Sequence, residues 1–323
     1  MSLDWSFSTD RRMRRCPRQV FFTDIAAWHN AKDPLRKESY LLNQVRGLAA
    51  WRGSLVHQSI DSFIVPQWQQ HRAIDWDSVI EAARELGTRQ FVFSETGTYR
   101  TAGMSKTKAL GDYCALFPHE FDVPLGEEQL EGILESVERA LRNLSNMKDF
   151  LARVEKRDFY RSELALSAEF NGVRIKGQID LFFSVGNGRY AVADWKDYES
   201  PSGSDAKRQM SLYAWLLQRN ARYRVTDPKD VELWEVKLGE AGVALYTVDQ
   251  ESLDELEDFM YRSTEGLRAL CGDGKFENQS LEDFPHTENP NTCRFCSFRS
   301  ICREPNQWIT IASIFSRSRN QAA

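Results

Sequence analysis

Two alternating segments joined by a tight-turn signal constrain this chain more than any other feature of its sequence. Residues 173–184 and 189–196 alternate apolar and polar side chains, which is typical of β-strands. Between them, Asn187-Gly188 is a strong signal for a two-residue hairpin turn. Residues 160–170 alternate in the same way. The sequence therefore predicts an antiparallel hairpin with a further strand preceding it.

Helical periodicity on both sides of these strands indicates an α/β fold. Residues 96–125 break this pattern, since they are irregular and rich in Thr, Gly and Ser. We expect a helical N-terminal region (1–154), an α/β core (155–275) and a C-terminal segment (276–323). The remaining predicted elements are strands at 230–238 and 242–248 and helices at 8–29, 51–70, 77–95, 127–153, 204–220 and 251–270.

The charge balance excludes one way of binding nucleic acid. Lys and Arg total 42 and Asp and Glu total 47, so the net charge of −5 cannot coat a polyanion by overall attraction. Any contact with nucleic acid must therefore be local. No apolar run approaches the roughly 20 residues of a membrane helix. The start of the chain also lacks the apolar stretch of a secretory signal. We expect a cytoplasmic protein without membrane contact.

Two acids and a lysine converge in the predicted hairpin. Asp194 and Lys196 are two residues apart on one strand and therefore share a face, and Asp180 lies on the partner strand. Carboxylate oxygens suit Mg2+ or Mn2+, and a neighbouring ammonium can orient water or stabilise charge on a phosphate. The alternative is a set of solvated charges that protects an edge strand from aggregation.

Three further polar residues lie on helices that could reach this site. Gln209 and Tyr213 are one helical turn apart in the helix that follows the lysine strand, so they share a face. His57 is a lone histidine on an amphipathic helix. Taken alone, such a histidine is more often structural or exposed than functional.

A cluster of cysteines near the C-terminal end indicates a metal site. Cys293, Cys296 and Cys302 form a C-x2-C-x5-C run, and metal sites of this kind use four ligands. Cys16 is the best candidate for the fourth, which would join the two ends of the chain. His286 could replace it as a zinc ligand. Spacing alone does not distinguish zinc from an iron–sulfur cluster. The other two cysteines, Cys114 and Cys271, are interpreted as small buried hydrophobic residues.

Two terminal segments have possible binding roles. Five arginines close to Cys16 could contact phosphates, or they could form a solvated helix face. These arginines are Arg11, Arg12, Arg14, Arg15 and Arg18. The tail beyond the cysteine run is apolar and could dock on the domain or on another subunit. Its apolar residues are Trp308, Ile309, Ile311, Ile314 and Phe315.

Taken in order, these motifs resemble the RecB-like branch of the PD-(D/E)xK nuclease superfamily. The resemblance extends from about residue 8 to residue 303. Cys16-Pro17-Arg18 and the terminal cysteine run resemble the iron–sulfur staple of AddB-type nucleases and CRISPR-associated exonucleases. The four ordered motifs are Gly53-x-x-x-His57, Gly177-Gln-Ile-Asp180, Asp194-Trp-Lys196 and Gln209-x-x-x-Tyr213.

The resemblance implies a fold, a set of ligands and a reaction. It implies a restriction-endonuclease-like core, in which helices flank a mixed central sheet. Lys196 would assist the attacking water, while Gln209 and Tyr213 would position the lysine, the metal waters or the nucleic-acid backbone. The implied ligands of a catalytic Mg2+ or Mn2+ are His57, Asp180, Asp194 and the backbone carbonyl of Trp195. The implied ligands of a structural [4Fe–4S] cluster are Cys16, Cys293, Cys296 and Cys302.

The implied activity is metal-dependent hydrolysis of DNA. Relatives in this branch most often cut single-stranded DNA, commonly from an end, and often work with a helicase. The alternative is a nuclease-like fold that serves as a non-catalytic DNA-binding or helicase-associated subunit. Glu163 lies where related proteins often carry an acid, but we interpret it as a solvated strand residue.

Overall fold

A mixed sheet forms the centre of the protein in the computed structural model, which describes residues 3–155, 157, 159–197, 204–223 and 225–302. The helices that flank it belong to the chain both before and after the predicted hairpin. The six strands among the described residues are β1 (Asp4–Trp5), β2 (Tyr160–Phe170), β3 (Val173–Gly186), β4 (Arg189–Lys196), β5 (Val231–Lys237) and β6 (Gly242–Tyr246).

Strand β3 organises the sheet because it pairs with three others. It is antiparallel to β2 and β4 and parallel to β1. Strand β5 is parallel to β4 and antiparallel to β6. The β3–β4 turn uses Asn187 and Gly188, whose φ angles of 53° and 75° lie in the left-handed region that this turn requires. The predicted hairpin and the expected mixed α/β sheet are thus confirmed.

The helices match most of the sequence-based boundaries. They are α1 (Phe7–Arg15), α2 (Pro17–Val20), α3 (Pro34–Leu42), α4 (Leu48–Ser59), α5 (Val65–Gln69), α6 (Trp76–Glu95), α7 (Phe117–Glu120), α8 (Glu127–Asn146), α9 (Lys148–Val154), α10 (Ser204–Gln218), α11 (Gln250–Cys271), α12 (Pro290–Arg294) and α13 (Arg299–Cys302). Two π-helical turns, Phe21–Ala26 and Ile60–Ile64, continue α2 and α4. None of the described helices is long and apolar enough to span a bilayer.

Two predicted helices are interrupted. The helix predicted at 8–29 breaks at Cys16, whose extended backbone (φ −166°, ψ 102°) ends α1, and Pro17 then starts α2 at a position where proline is favoured. The helix predicted at 127–153 breaks at Met147, which separates α8 from α9. Apolar periodicity continues across both breaks, so the pattern alone could not reveal them.

Each face of the sheet covers its own hydrophobic cluster. One cluster contains Phe182, Val192 and the buried face of α10, together with α11 and the N-terminal helices. The other contains Leu181, Ala193 and the buried residues of α4, α6 and α8. The end of β4 lies between α4 and α10, and side chains from both helices reach it.

The alternation of side chains along β3 is interrupted at Asp180. Ile179 and Leu181 are two residues apart, yet they face opposite clusters. The neighbouring strand shows the same change across Glu163, since Tyr160 and Leu164 pack on opposite clusters. Glu163 has a left-handed backbone with φ of 50°, which costs a residue with a Cβ about 1–2 kcal/mol. This strained position coincides with the candidate functional residues described below.

The ends of the described chain contact each other. Arg18 donates hydrogen bonds from Nε to Phe284 O at 2.8 Å and from Nη1 to Cys302 O at 3.1 Å. Trp5 donates to Ser263 Oγ at 2.9 Å, which holds β1 against α11. The apolar tail predicted to dock on the domain or on another subunit lies outside the described residues.

Candidate active site

Four acidic residues form a row across four adjacent strands. The flanking β2–β3 pairs, Ser162 with Leu181 and Leu164 with Ile179, place Glu163 opposite Asp180. The pair Leu181 with Ala193 places Asp180 opposite Asp194. Asp194 pairs directly with Glu235 in the parallel β4–β5 ladder. Without a cation, this row would concentrate negative charge at one position along the sheet.

His57 completes a group of potential metal ligands. It extends from α4, with Nδ1 3.5 Å from Asp180 Oδ1 and Nε2 3.2 Å from the carbonyl oxygen of Trp195. One atom each from His57, Glu163 and Asp180 lies within 4.8 Å of the others. The other oxygen of Asp180 accepts a hydrogen bond from Trp195 N at 2.8 Å. Asp180 is therefore held in position by the strand that carries Asp194.

Helix α10 holds Asp194 from the opposite side. Oδ1 of Asp194 accepts hydrogen bonds from the Tyr213 hydroxyl at 2.8 Å and from Gln209 Nε2 at 2.9 Å. Gln209 Nε2 also donates to the Tyr213 hydroxyl at 2.7 Å, which closes a triangle. Oδ2 of Asp194 lies 2.5 Å from Lys196 Nζ, and Gln209 Oε1 accepts from this ammonium at 3.5 Å. The carboxylate is 2% exposed, so these neighbours fix its orientation.

Burial and mutual repulsion disfavour negative charge at this site. Burial and the charge of Asp180 raise the pKa of Asp194, although Lys196 partly opposes the rise. The same two causes raise the pKa of Glu163. Burial alone would lower the pKa of His57, but the hydrogen bond and charge of Asp180 outweigh it and raise that pKa. Burial and nearby carboxylates raise the pKa of Tyr213 well above its usual value, so its hydroxyl remains a donor.

Glu163 and Asp180 line a groove of about 650 Å³ between α4 and the sheet, together with His57 and Lys196. Arg52 donates to Asp197 across 2.8 Å and ties the helix to the end of β4. Gly53 permits this close approach, because a Cβ there would lie 3.2 Å from Asp197 Oδ1. These contacts join α4 to the residue that follows β4 on the groove wall.

The sequence as a whole matches one known family. A model of the PD-(D/E)XK nuclease superfamily matches residues 4–303. The chain belongs to this superfamily. It is therefore a nuclease, a hydrolase for which DNA is the substrate that the family implies. PD-(D/E)XK nucleases use divalent metal ions.

Individual relatives are more distant. None of the curated proteins compared with the chain matches it. Among solved structures, it is similar to the protein SSO0001 at 15% identity and a TM-score of 0.27, over 58% of this chain and 78% of that one. It is also similar to a candidate exonuclease from Eubacterium rectale at 10% identity and a TM-score of 0.32, over 75% and 88% of the two chains. These values are too low to carry an argument about function.

The donor atoms suit the divalent ion that PD-(D/E)XK nucleases require. Carboxylate and carbonyl oxygens with one imidazole are appropriate for Mn2+, and the oxygens alone for Mg2+. Oδ2 of Asp194 is buried and lies 2.5 Å from Lys196 Nζ, so the ammonium already compensates its charge. The ligand atoms of His57, Glu163 and Asp180 lie within 4.8 Å of one another and could therefore share one ion. The residues present therefore fit a divalent metal.

Glu163 requires a correction to the sequence analysis. It is not an isolated solvated acid, since it lies beside His57 and Asp180 and accepts a hydrogen bond from Gln178. Sequence reasoning also missed Glu235, which is fully buried and accepts from the Tyr246 hydroxyl at 2.6 Å. The available signal was an acid placed between Trp234 and Val236 within the strand Val231–Lys237.

The four cysteines predicted to bind a cluster lie around one small pocket. Cys16 is buried and the other three are partly buried, and none forms a disulfide. His286 lines the same pocket. Among the described residues, no three of these sulfurs lie within 4.8 Å of one another. The two remaining cysteines, Cys114 and Cys271, are buried elsewhere, as predicted.

The N-terminal arginines are largely committed to contacts within the protein. Arg12 pairs with Asp24 at 2.9 Å, and Arg14 forms an ion pair with Asp10. Arg18 is held by two carbonyl oxygens of the C-terminal segment. These contacts reduce the positive charge that the cluster can offer to phosphates.

Proposed function

We propose that this nuclease is a Mg2+- or Mn2+-dependent deoxyribonuclease that prefers single-stranded DNA with a free end. The observation that carries the metal-dependent chemistry is that Asp180 and Lys196 line one groove, and that the buried carboxylate of Asp194 is paired with this lysine. The preference for a single strand and an end follows from the resemblance to RecB-like enzymes. The same resemblance supports a helicase partner and the division into regions 1–154, 155–275 and 276–323.

The residues of the groove have distinct roles in this proposal. The ion would be held by His57, Glu163, Asp180, Asp194 and the carbonyl oxygen of Trp195. Once bound, it neutralises phosphate charge and lowers the pKa of a coordinated water. Lys196 orients the attacking water and stabilises the charge that develops on the phosphate oxygens. Gln209 and Tyr213 position Asp194 and Lys196 through the hydrogen bonds described above.

End-labelled digestion tests the activity. Single- and double-stranded DNA are incubated with the protein and with Mg2+, Mn2+ or EDTA. We expect cleavage of single strands that requires the metal and is lost in Asp194→Asn and Lys196→Gln. Lys237→Gln is a matched control. Lys237 lies opposite Lys196 in the register of β4 and β5, and both side chains are 17% exposed. Its ammonium forms an ion pair with Glu240 and not with a site residue.

The results separate the two candidate roles. If both site variants cleave DNA as the wild type does, the proposed site is refuted although the protein is a nuclease. Binding of DNA without cleavage under any divalent metal would instead favour a non-catalytic DNA-binding subunit. Circular dichroism of each variant distinguishes lost chemistry from lost folding.

We also propose that Cys16, Cys293, Cys296 and Cys302 hold a [4Fe–4S] cluster that stabilises the junction of the two ends. Their arrangement around one pocket supports this. The choice of an iron–sulfur cluster over zinc follows from the resemblance of these cysteines to the staple of AddB-type nucleases.

Anaerobic purification tests the cluster. We expect a brown protein that contains iron and sulfide, and a loss of both in Cys16→Ala. Cys271→Ala is the control, because Cys271 is buried outside the pocket. A colourless protein with one equivalent of zinc would contradict the iron–sulfur assignment and favour a site that includes His286.

A further inference from the structure

A second pocket lies beside the groove of the candidate active site. It has a volume of about 220 Å³ and shares Arg46, Ser54 and Gln58 with the groove. Gln58 directly follows the candidate metal ligand His57 on α4. Pockets for drug-sized ligands occupy roughly 300–1,000 Å³, so this one suits a single small group. The pocket and the groove therefore adjoin each other along α4.

The irregular segment at 96–125 builds the outer wall of this pocket. The carbonyl oxygen of Gly111 accepts hydrogen bonds from Gln58 Nε2 and Gln90 Nε2, both at 2.9 Å. Gly111 has φ of 99°, which favours glycine, and a Cβ there would lie 2.9 Å from Gln58 Nε2. Arg46 N donates to Ala115 O at 2.8 Å. The segment is thus fixed against α4 and α6.

Two cations line the pocket without compensating acids. Neither Arg46 nor Lys106 forms an ion pair within the described part of the chain. By contrast, Arg52 and Arg100 in the same region pair with carboxylates. Partial burial and the positive charge of Arg46 lower the pKa of Lys106, so the two charges repel each other. An anion placed between them would relieve this repulsion.

We propose that this pocket is a phosphate-binding subsite for the nucleic-acid strand that reaches the metal centre. The proposal rests on the proposed deoxyribonuclease function. Arg46 and Lys106 supply charge, while Ser54, Gln58 and Tyr113 line the same space with groups that can donate hydrogen bonds. The bound group is either a terminal phosphate or an internal phosphodiester. The subsite binds and places the strand and takes no part in the chemical step.

Substitution of Lys106 tests the subsite in the full-length protein. Binding of a single-stranded oligonucleotide is measured with Ca2+ at several salt concentrations, and cleavage is measured with Mg2+. For Lys106→Gln we expect about tenfold weaker binding at low salt and a salt slope smaller by about one. We also expect KM to rise while kcat stays close to that of the wild type.

Lys108→Gln is the matched control. Lys108 lies in the same segment, donates to Gly103 O at 2.7 Å and forms no ion pair among the described residues, but it does not line the pocket. Its variant should bind within about twofold of the wild type, because the Lys108 ammonium is held by Gly103 O outside the pocket. Equal binding by the two lysine variants would overturn the subsite.

Substrate ends identify the phosphate that is bound. Oligonucleotides with a 5′-phosphate, a 3′-phosphate or only hydroxyl ends are compared with a circular strand. If Lys106→Gln weakens binding only of oligonucleotides with one kind of phosphorylated end, the pocket binds a terminal phosphate. If it weakens binding of all the oligonucleotides equally, the circular strand included, the pocket binds an internal phosphodiester. If the wild type cleaves DNA, and Lys106→Gln binds and cleaves it as the wild type does, then the subsite is refuted while the proposed function stands. If the wild type neither binds nor cuts DNA, the proposed function fails with it.

Discussion

The Tyr213 hydroxyl donates a hydrogen bond to Oδ1 of Asp194 across 2.8 Å, and both side chains are buried. This contact links α10 to the end of β4. Asp194 therefore depends on the helix for its orientation as well as on its own strand. The same oxygen accepts a hydrogen bond from Gln209, so either donor can still orient Asp194 when the other is removed.

Tyr213→Phe tests this support. It keeps the ring but removes two hydrogen bonds of the hydroxyl, one donated to Asp194 and one accepted from Gln209, so we expect a loss of stability of about 1–2 kcal/mol. Gln209 still holds Asp194, so we expect kcat to fall by about tenfold rather than to vanish. Urea unfolding and steady-state cleavage measure the two effects. The double variant with Gln209→Leu should lose more than the sum of the single variants, and simple additivity would show that the donors act independently.

Glu163 offers a test of strain at the site. Its φ of 50° suits glycine, so Glu163→Gly should be more stable than Glu163→Ala by about 1–2 kcal/mol. Both variants lack the carboxylate and should need more Mg2+ for half-maximal cleavage. Thermal unfolding and metal titration separate the two effects. Equal stability of the variants would show that the backbone at this position relaxes, and unchanged metal dependence would remove Glu163 from the ligand set.

Gly177 shows how closely α10 approaches the sheet. A Cβ at this position would lie 2.5 Å from Leu216 Cδ1, so in Gly177→Ala the buried Leu216 side chain or its helix must shift, and we expect a destabilisation of about 1–3 kcal/mol. Cleavage should fall as well, since the same helix carries Gln209 and Tyr213. Gly132→Ala is the control, for which we expect a change in stability of the opposite sign. It lies in α8 with nothing within 4 Å of an added Cβ, and alanine there should stabilise the protein by about 1 kcal/mol.

Short-range patterns account for what the sequence predicted well. The Asn187-Gly188 turn fixes the hairpin, and the period of two places Asp194 and Lys196 on one face. One helical turn between Gln209 and Tyr213 brings both to the same carboxylate. Each of these relationships depends on local geometry that residue type and spacing determine.

The sequence could not predict features that arise from tertiary contacts. Glu163 adopts a backbone conformation that its residue type disfavours, and the alternation of faces changes there. Strand β1 has only two residues, too few for a periodic signal. The pocket near Lys106 is built by an irregular segment that helices α4 and α6 hold in place. Their positions become visible only when distant parts of the chain are brought together.

The imidazole of His57 should determine which metal the site prefers. Imidazole favours Mn2+ over Mg2+, whereas carboxylates accept both. In His57→Ala we therefore expect the concentration of Mn2+ for half-maximal cleavage to rise by about tenfold or more, and that of Mg2+ to rise less. His29→Ala is a control, because His29 stacks near Tyr40, away from the groove. Equal shifts for the two metals would mean that His57 supports Asp180 and the Trp195 carbonyl without contacting the ion itself, since its Nδ1 and Nε2 lie 3.5 Å and 3.2 Å from them.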